Sequence, residues 1–333
     1  MGASKQEFIE HREIESKYIE EQEIEKIQQE EPSEYYKLIG RLQKKEETLS
    51  YSSLKQFYKT PKNFINYKLN KFVKSPSMIF GSLLDCLILT PEDFDKNFIV
   101  LDSVPSTDNQ LGFVSDFLDG MSKEEAFNNN YKRGDAEKTY LGLEKYINSK
   151  KLGLDVISQS DLDKAKSIKE SVLNNPTAKS FLERADTIQE KLEWEYKGYK
   201  FKGFLDVRGK GFIMDLKYKS TSSDINKFQW DFKELHYDLQ AGMYTKAINI
   251  LGLDKNVQYF IMVYDAKGEV SVIEIDYSYI AHGQQKYDLC IQEMERCRKD
   301  NLWNLSHDFY GVNEGVFTMV KPRFAELKGS LIV

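Results

Sequence analysis

The sequence predicts an α/β (α+β) fold in which one central mixed β-sheet is flanked by helices. Three observations predict it. Residues 187–196, 199–207 and 211–218 are strand-like runs separated by Gly-containing turns. A second strand pair, 257–264 and 269–275, is separated from the first three by a helical stretch over 236–251. Helical patterns fill the first half of the chain and return over 277–301. Helices, three strands, helix, two strands and helix are the order of a layered structure around one sheet.

From the N-terminus, residues 1–48 are charged, mostly helical in pattern and without a clear apolar face, as in EEQEIEKIQQEE, with Pro32 breaking the run. They are expected to form an appendage, 1–49, that is partly disordered or packs on a partner. The serines at 50, 52 and 53 suit a helix cap, and Pro61 breaks the helix that follows. Residues 79–90 predict a buried helix ended by Pro91. Residues 121–184 predict helices in pieces, with Asn175-Pro176 as a boundary. The main domain is expected over 50–310, followed by a C-terminal tail over 311–333.

The chain has 333 residues, 41% of them hydrophobic and 30% charged, ordinary values for a globular protein. No segment approaches the ~20 apolar residues of a membrane span, and the first ten residues form no apolar signal core, so a cytoplasmic location without a membrane partner is expected. Cys86, Cys290 and Cys297 form no CxxC pair, which argues against a disulfide framework or a four-cysteine site. His11, His236, His282 and His307 have no ligand-like spacing.

The net charge of -6 hides an uneven distribution. Residues 1–50 hold 13 acids and 8 bases, which leaves 40 acids and 39 bases in the rest. Between Tyr51 and Phe80 there are six lysines (Lys55, Lys59, Lys62, Lys68, Lys71 and Lys74) and no acid. Tyr51, Phe57, Tyr58, Phe64, Tyr67 and Phe72 are threaded among them. The stretch fits two readings: a nucleic-acid groove in which lysines neutralise phosphates and rings stack on bases, or a helix with solvated lysines and buried aromatics.

The chemistry-bearing segment is GFLDVRGKGFIMDLKYKS, residues 203–220. Along a strand side chains alternate faces, so Phe212, Met214, Leu216 and Tyr218 point one way, and Ile213, Asp215 and Lys217 the other. A two-residue hairpin closed on Gly209-Lys210 places Asp206 opposite Ile213, making Asp206 and Asp215 diagonal neighbours on one face, about 7–8 Å apart. Two carboxylates so placed can share a hard cation, and magnesium is the natural occupant. Beside a phosphate, the Lys217 ammonium can position or help deprotonate an attacking water and stabilise developing charge. An exposed hairpin face with an ordinary salt bridge is the competing reading.

These residues resemble the PD-(D/E)XK nuclease superfamily, most closely its exonuclease VIII (RecE-type) and RecB-like branch. The pattern is Asp206, a hairpin, then Asp215-Leu216-Lys217, with Leu205 where the pattern's name has proline. Downstream, Gln240 and Tyr244 match a Gln-x-x-x-Tyr helix. Upstream, Tyr51-Ser52-Ser53-Leu54, Pro61, Gly81-Ser82-Leu83-Leu84-Asp85 and Pro91-Glu92-Asp93-Phe94 follow the branch's order. Asp85 stands where the pattern usually carries histidine. The resemblance spans roughly residues 50–250.

The resemblance implies a restriction-endonuclease-like core and hydrolysis of linear double-stranded DNA, 5′ to 3′, as a hydrolase of the exodeoxyribonuclease class in recombination and repair. Asp206, Asp215 and Lys217 would be catalytic. Asp85, Asp206, Asp215 and the main-chain carbonyl of Leu216 would hold magnesium. Gln240, Tyr244, Lys55, Lys59 and Ser53 would contact DNA. Glu193 and Glu195 are further candidate acids just ahead of Asp206. A phage or bacterial setting, a single-strand annealing protein as partner and a homo-oligomer are implied in the same way. The alternatives are an endonuclease or single-strand-specific enzyme on the same core, and a non-catalytic DNA-binding scaffold.

Overall fold

The computed structural model describes residues 33–70 and 73–306. The chain opens with helix α1 (Glu34–Gln43), which buries Leu38 and Leu42, four apart on one face. Residues 33–49 thus pack on the body, with Leu49 bridging to Phe201 of the sheet. The rest of the expected appendage, like the C-terminal tail, lies outside the described residues.

Helix α2 (Tyr51–Lys59) starts at a capping box between Ser50 and Ser53, and α3 (Pro61–Leu69) carries Pro61 in its first turn beneath a Thr60 cap. Helix α4 (Pro76–Leu89) is the predicted apolar helix, starting three residues earlier than expected. Two three-residue strands, β1 (Phe98–Val100) and β2 (Asp155–Ile157), pair in parallel and were not foreseen. Between them α5 (Asp108–Leu118), α6 (Lys123–Asn130) and α7 (Ala136–Lys151) enclose a small core of their own around Phe113, Phe127 and Ile147. Helices α8 (Gln159–Asn174) and α9 (Pro176–Glu183) divide at Asn175-Pro176 as the sequence indicated, Asn175 capping α9.

The central sheet comprises β3 (Ala185–Tyr196), β4 (Tyr199–Gly209), β5 (Phe212–Lys219), β6 (Gln258–Asp265) and β7 (Val270–Ile275), in that spatial order. Neighbours are antiparallel except β5 and β6, which run parallel. A parallel pair requires a crossover; α10 (Ile225–Glu234) and α11 (Tyr237–Ile250) provide it. The chain then closes with α12 (Tyr277–Asp300). The mixed sheet and flanking helices are those expected.

Both sheet faces are covered. Val207, Phe212, Met214, Leu216, Met262 and Tyr264 pack against α4, α8 and α9. Leu205, Ile213, Tyr259, Ile261 and Val263 pack against α2, α11 and α12. The face carrying Asp215 is therefore an interior face rather than the exposed side of a hairpin.

The β4–β5 hairpin differs from the expected register. The observed pairs are Gly209↔Phe212, Arg208↔Ile213 and Val207↔Met214, so the turn lies on Lys210-Gly211, one residue later. Gly211 adopts φ +80°, and its N–H donates to Asp254 Oδ2 at 2.9 Å. Left-handed backbone there favours glycine. Gly209 serves another purpose: a Cβ on it would meet the Phe212 ring and the Arg184 carbonyl oxygen within 2.5 Å. Continued along the strands, this register sets Asp206 directly opposite Asp215 instead of diagonal to it. The ladder ends at Val207↔Met214, so the strands part where the two carboxylates stand.

Candidate active site

The opening between β4 and β5 gathers the three residues of the expected catalytic set. Asp215 is buried at 5% exposure. Gln240 Nε2 of α11 donates to its Oδ1 at 2.7 Å. Its Oδ2 is ion-paired with the Lys217 ammonium, two residues along the same face, but accepts no well-aligned hydrogen bond. Where the ladder stops, the Leu216 N–H turns to Asp206 and donates to Oδ2 at 2.8 Å; Gln189 Nε2 donates to Oδ1 at 3.4 Å.

Helix α11 lies over this site because Tyr237, Gln240 and Tyr244 share its inner face, at spacings of three and four. The Lys217 ammonium lies 5.1 Å from the centre of the Tyr237 ring, a cation–π contact. Tyr244 is buried against Gly203 of β4, where a Cβ would come within 2.5 Å of its ring. Gln240 and Tyr244 thus face into the protein. The motif that suggested DNA contact here braces Asp215 and the strand carrying Asp206.

Asp85 arrives from α4. It is partly buried, and Tyr264 of β6 donates to its Oδ1 at 3.1 Å. Burial raises the Asp85 pKa to about 7, against the opposing pulls of Lys217 and the Tyr264 hydroxyl and with repulsion from Asp215. Asp206 is raised well above the usual carboxylate range, first by burial, then by repulsion from Asp215 and Asp85. Burial opposes the charge on Lys217, yet Asp215, Tyr237 and Asp206 outweigh it and hold its pKa above the ordinary lysine value. Lys217 is therefore a fixed ammonium here, suited to orienting an anion and ill suited to taking a proton.

A pH dependence follows. The folded chain keeps protons on Asp85 and Asp206 that the unfolded chain releases near pH 4. Where the native state binds more protons, stability falls as pH rises. In chelator, the unfolding midpoint is expected to fall progressively from pH 5 to pH 8. A thermal melt series reads this; a midpoint constant or rising over that window would contradict it.

Among the basic candidates, Lys55 is half-buried over the Tyr51 ring, 5.3 Å from its centre. Burial, then Lys59 and Lys217, depress its pKa, which places it within electrostatic reach of the site. Lys59 is exposed on the same helix. Ser53 is wholly buried in its capping box and has no surface to offer DNA. Phe57 and Phe64 are wholly buried too, so the core takes these rings that a groove would have used for stacking. Lys68 is ion-paired with Glu47 and Lys74 with Asp155. Lys71 and Phe72 lie outside the described residues. Glu193 and Glu195 point into solvent on β3, Glu193 paired with Lys191. Sequence reading missed two partners, Tyr264 and Gln189, which are remote from the motif and carry no pattern of their own.

Residues 50–306 match the family described as "PDDEXK-like domain of unknown function (DUF3799)", and the chain belongs to that family. It is thus a member of the PD-(D/E)XK class, the nuclease fold its hairpin indicated. The chain is similar in structure to a "Putative exonuclease" from Eubacterium rectale, at 14% identity and a TM-score of 0.49, over 88% of this chain and 96% of that one. No curated protein matches it. Among the described residues no helix is long and apolar enough to cross a membrane, and the three cysteines are free and buried.

Among the described residues, no three of His, Cys, Asp and Glu close into a ready ligand set, and the Lys217 ammonium occupies Asp215 Oδ2. The donor chemistry still fits a hard divalent ion. Asp85, Asp206 and Asp215 repel one another, Lys217 is the cation that acts on all three, and three carboxylates are the oxygen donors such an ion takes.

Proposed function

We propose that this protein is a divalent-metal-dependent DNA exonuclease that hydrolyses linear double-stranded DNA, 5′ to 3′, in recombination or repair. The observation that carries the reading is the convergence of Asp85, Asp206 and Asp215 on one ammonium, three carboxyl groups that a shared divalent cation would let ionise together. Asp206, Asp215, the Leu216 carbonyl and Asp85 are the ligands, with magnesium as the ion and manganese as the alternative. Bound there, the ion supplies Lewis-acid polarisation of the scissile phosphate.

The chain's own residues do the rest. Lys217, held protonated, orients the attacking water and neutralises charge on the phosphate oxygens. Gln240 fixes Asp215 Oδ1, and Oδ2, ion-paired with Lys217, is the oxygen a cation would share with that ammonium. Lys55 and Lys59 meet backbone phosphates beside the site. The catalytic unit spans 50–310, with 1–49 and 311–333 as flanking segments. A cytoplasmic setting in a bacterial or phage-infected cell, an annealing protein that receives the exposed strand, and a homo-oligomer complete the reading.

End-labelled linear duplex and closed circular DNA, each with magnesium, separate exonuclease from endonuclease. Loss of the linear substrate alone is expected. Cleavage of the closed circle would favour an endonuclease on the same core. Binding without cleavage in magnesium or manganese would favour a scaffold.

A further inference from the structure

Tyr264 lies on β6 beside β5, opposite Tyr218, and its side chain is wholly buried. Its surroundings are apolar: Leu84 of α4 and Met214, Leu216 and Met262 of the sheet belong to the same core. A hydroxyl in such a place needs a hydrogen-bond partner. Its partner is Asp85 Oδ1, at 3.1 Å and 179 residues away in sequence. The contact works in both directions. Asp85 satisfies a phenol that the core would otherwise strand, and the phenol, fixed by packing on every side, fixes the carboxylate. With Oδ1 engaged, Asp85 has Oδ2 left for the charges it faces, Lys217 and Asp215.

We propose that Tyr264 is a positioning residue that holds Asp85 in place for divalent-cation binding, restricting it to one donor oxygen. The inference rests on the reading of Asp85 as a ligand. A carboxylate already held in one orientation by the phenol need not be ordered when an ion binds. Hydrogen-bond partners behind a ligand are typically worth about 10–100-fold in metal affinity.

Calorimetric titration of magnesium into the full-length, DNA-free protein tests this. Wild type, Tyr264→Phe, Asp85→Asn and the double variant would be compared, with folding checked by thermal melts. Tyr264→Phe is expected to weaken magnesium binding about tenfold or more, and to raise the magnesium concentration for half-maximal cleavage while leaving kcat at saturation intact. In the Asp85→Asn background it is expected to add nothing. Tyr264→Met, which removes the donor with a different shape, is expected to repeat the loss, tracing it to the hydroxyl. Wild-type affinity in Tyr264→Phe, with weakened binding in Asp85→Asn, would overturn the positioning role alone. Unchanged affinity in Asp85→Asn would remove the ligand reading beneath it, and the proposal with it.

Discussion

Asp206→Asn is expected to lower DNA cleavage by about 10²–10³-fold while making the metal-free protein more stable, by about 1 kcal/mol. The two effects share one cause. Asp206 is held among Asp215 and Asp85 with its ionised form disfavoured by burial and by both neighbours. An uncharged amide removes the cost of neutralising that carboxylate on folding. The local hydrogen bonds survive the change, since the Leu216 N–H still finds a carbonyl oxygen and the Gln189 amide can turn to meet a donor. What the amide cannot do is ligate a hard cation with full negative charge. Melting in chelator and single-turnover cleavage in magnesium read the two effects. Lower stability together with undiminished cleavage would show that Asp206 is an ordinary structural carboxylate.

The second large effect is on folding. Gly283→Ala is expected to cost about 3 kcal/mol or more, because the contact is with backbone that no rotamer change relieves. A Cβ at Gly283 would fall 1.7 Å from the Asp238 carbonyl oxygen, and one at Gly242 would fall 2.3 Å from the Gln284 nitrogen. The two glycines let α11 and α12 cross in close contact. Beside that crossing, buried Asp238 is ion-paired to Lys286 at 2.7 Å and hydrogen-bonded to His282 Nδ1 at 2.8 Å. Helix α11 carries Gln240 and Tyr237, so pushing it off α12 also displaces the groups that hold Asp215 and Lys217. Denaturant unfolding measures the loss; a change under about 1 kcal/mol would mean that the helices yield easily at this crossing.

How much of this was legible in the sequence depended on local chemistry. The β5 alternation placed Asp215 and Lys217 on one face, and that survived the hairpin's one-residue displacement because opposed residues still share a face. The displacement itself was hard to foresee, since Gly209 and Gly211 both offer a turn. Only the fold reveals that one is needed for φ +80° and the other for a close approach to Phe212. Asp85 stood out as a carboxylate in an apolar helix, but Tyr264, 179 residues away, could not be paired with it without the sheet.

The lysine-rich helices show the opposite case. Tyr51, Leu54 and Phe57 recur every three residues, a spacing that serves a core face as well as a row of stacking rings, and here it serves the core. Helix α1 looked featureless because its buried face is only Leu38 and Leu42. The β1–β2 pair was missed because three residues are too few for an alternation pattern to emerge.

The most direct test of the central claim is digestion of end-labelled linear duplex DNA by the full-length protein, in magnesium and in excess chelator, beside Asp215→Ala and Lys217→Ala. The account predicts digestion in magnesium alone, abolished by both substitutions. Digestion that persists in chelator or in Asp215→Ala would contradict it, as would an intact substrate with both magnesium and manganese.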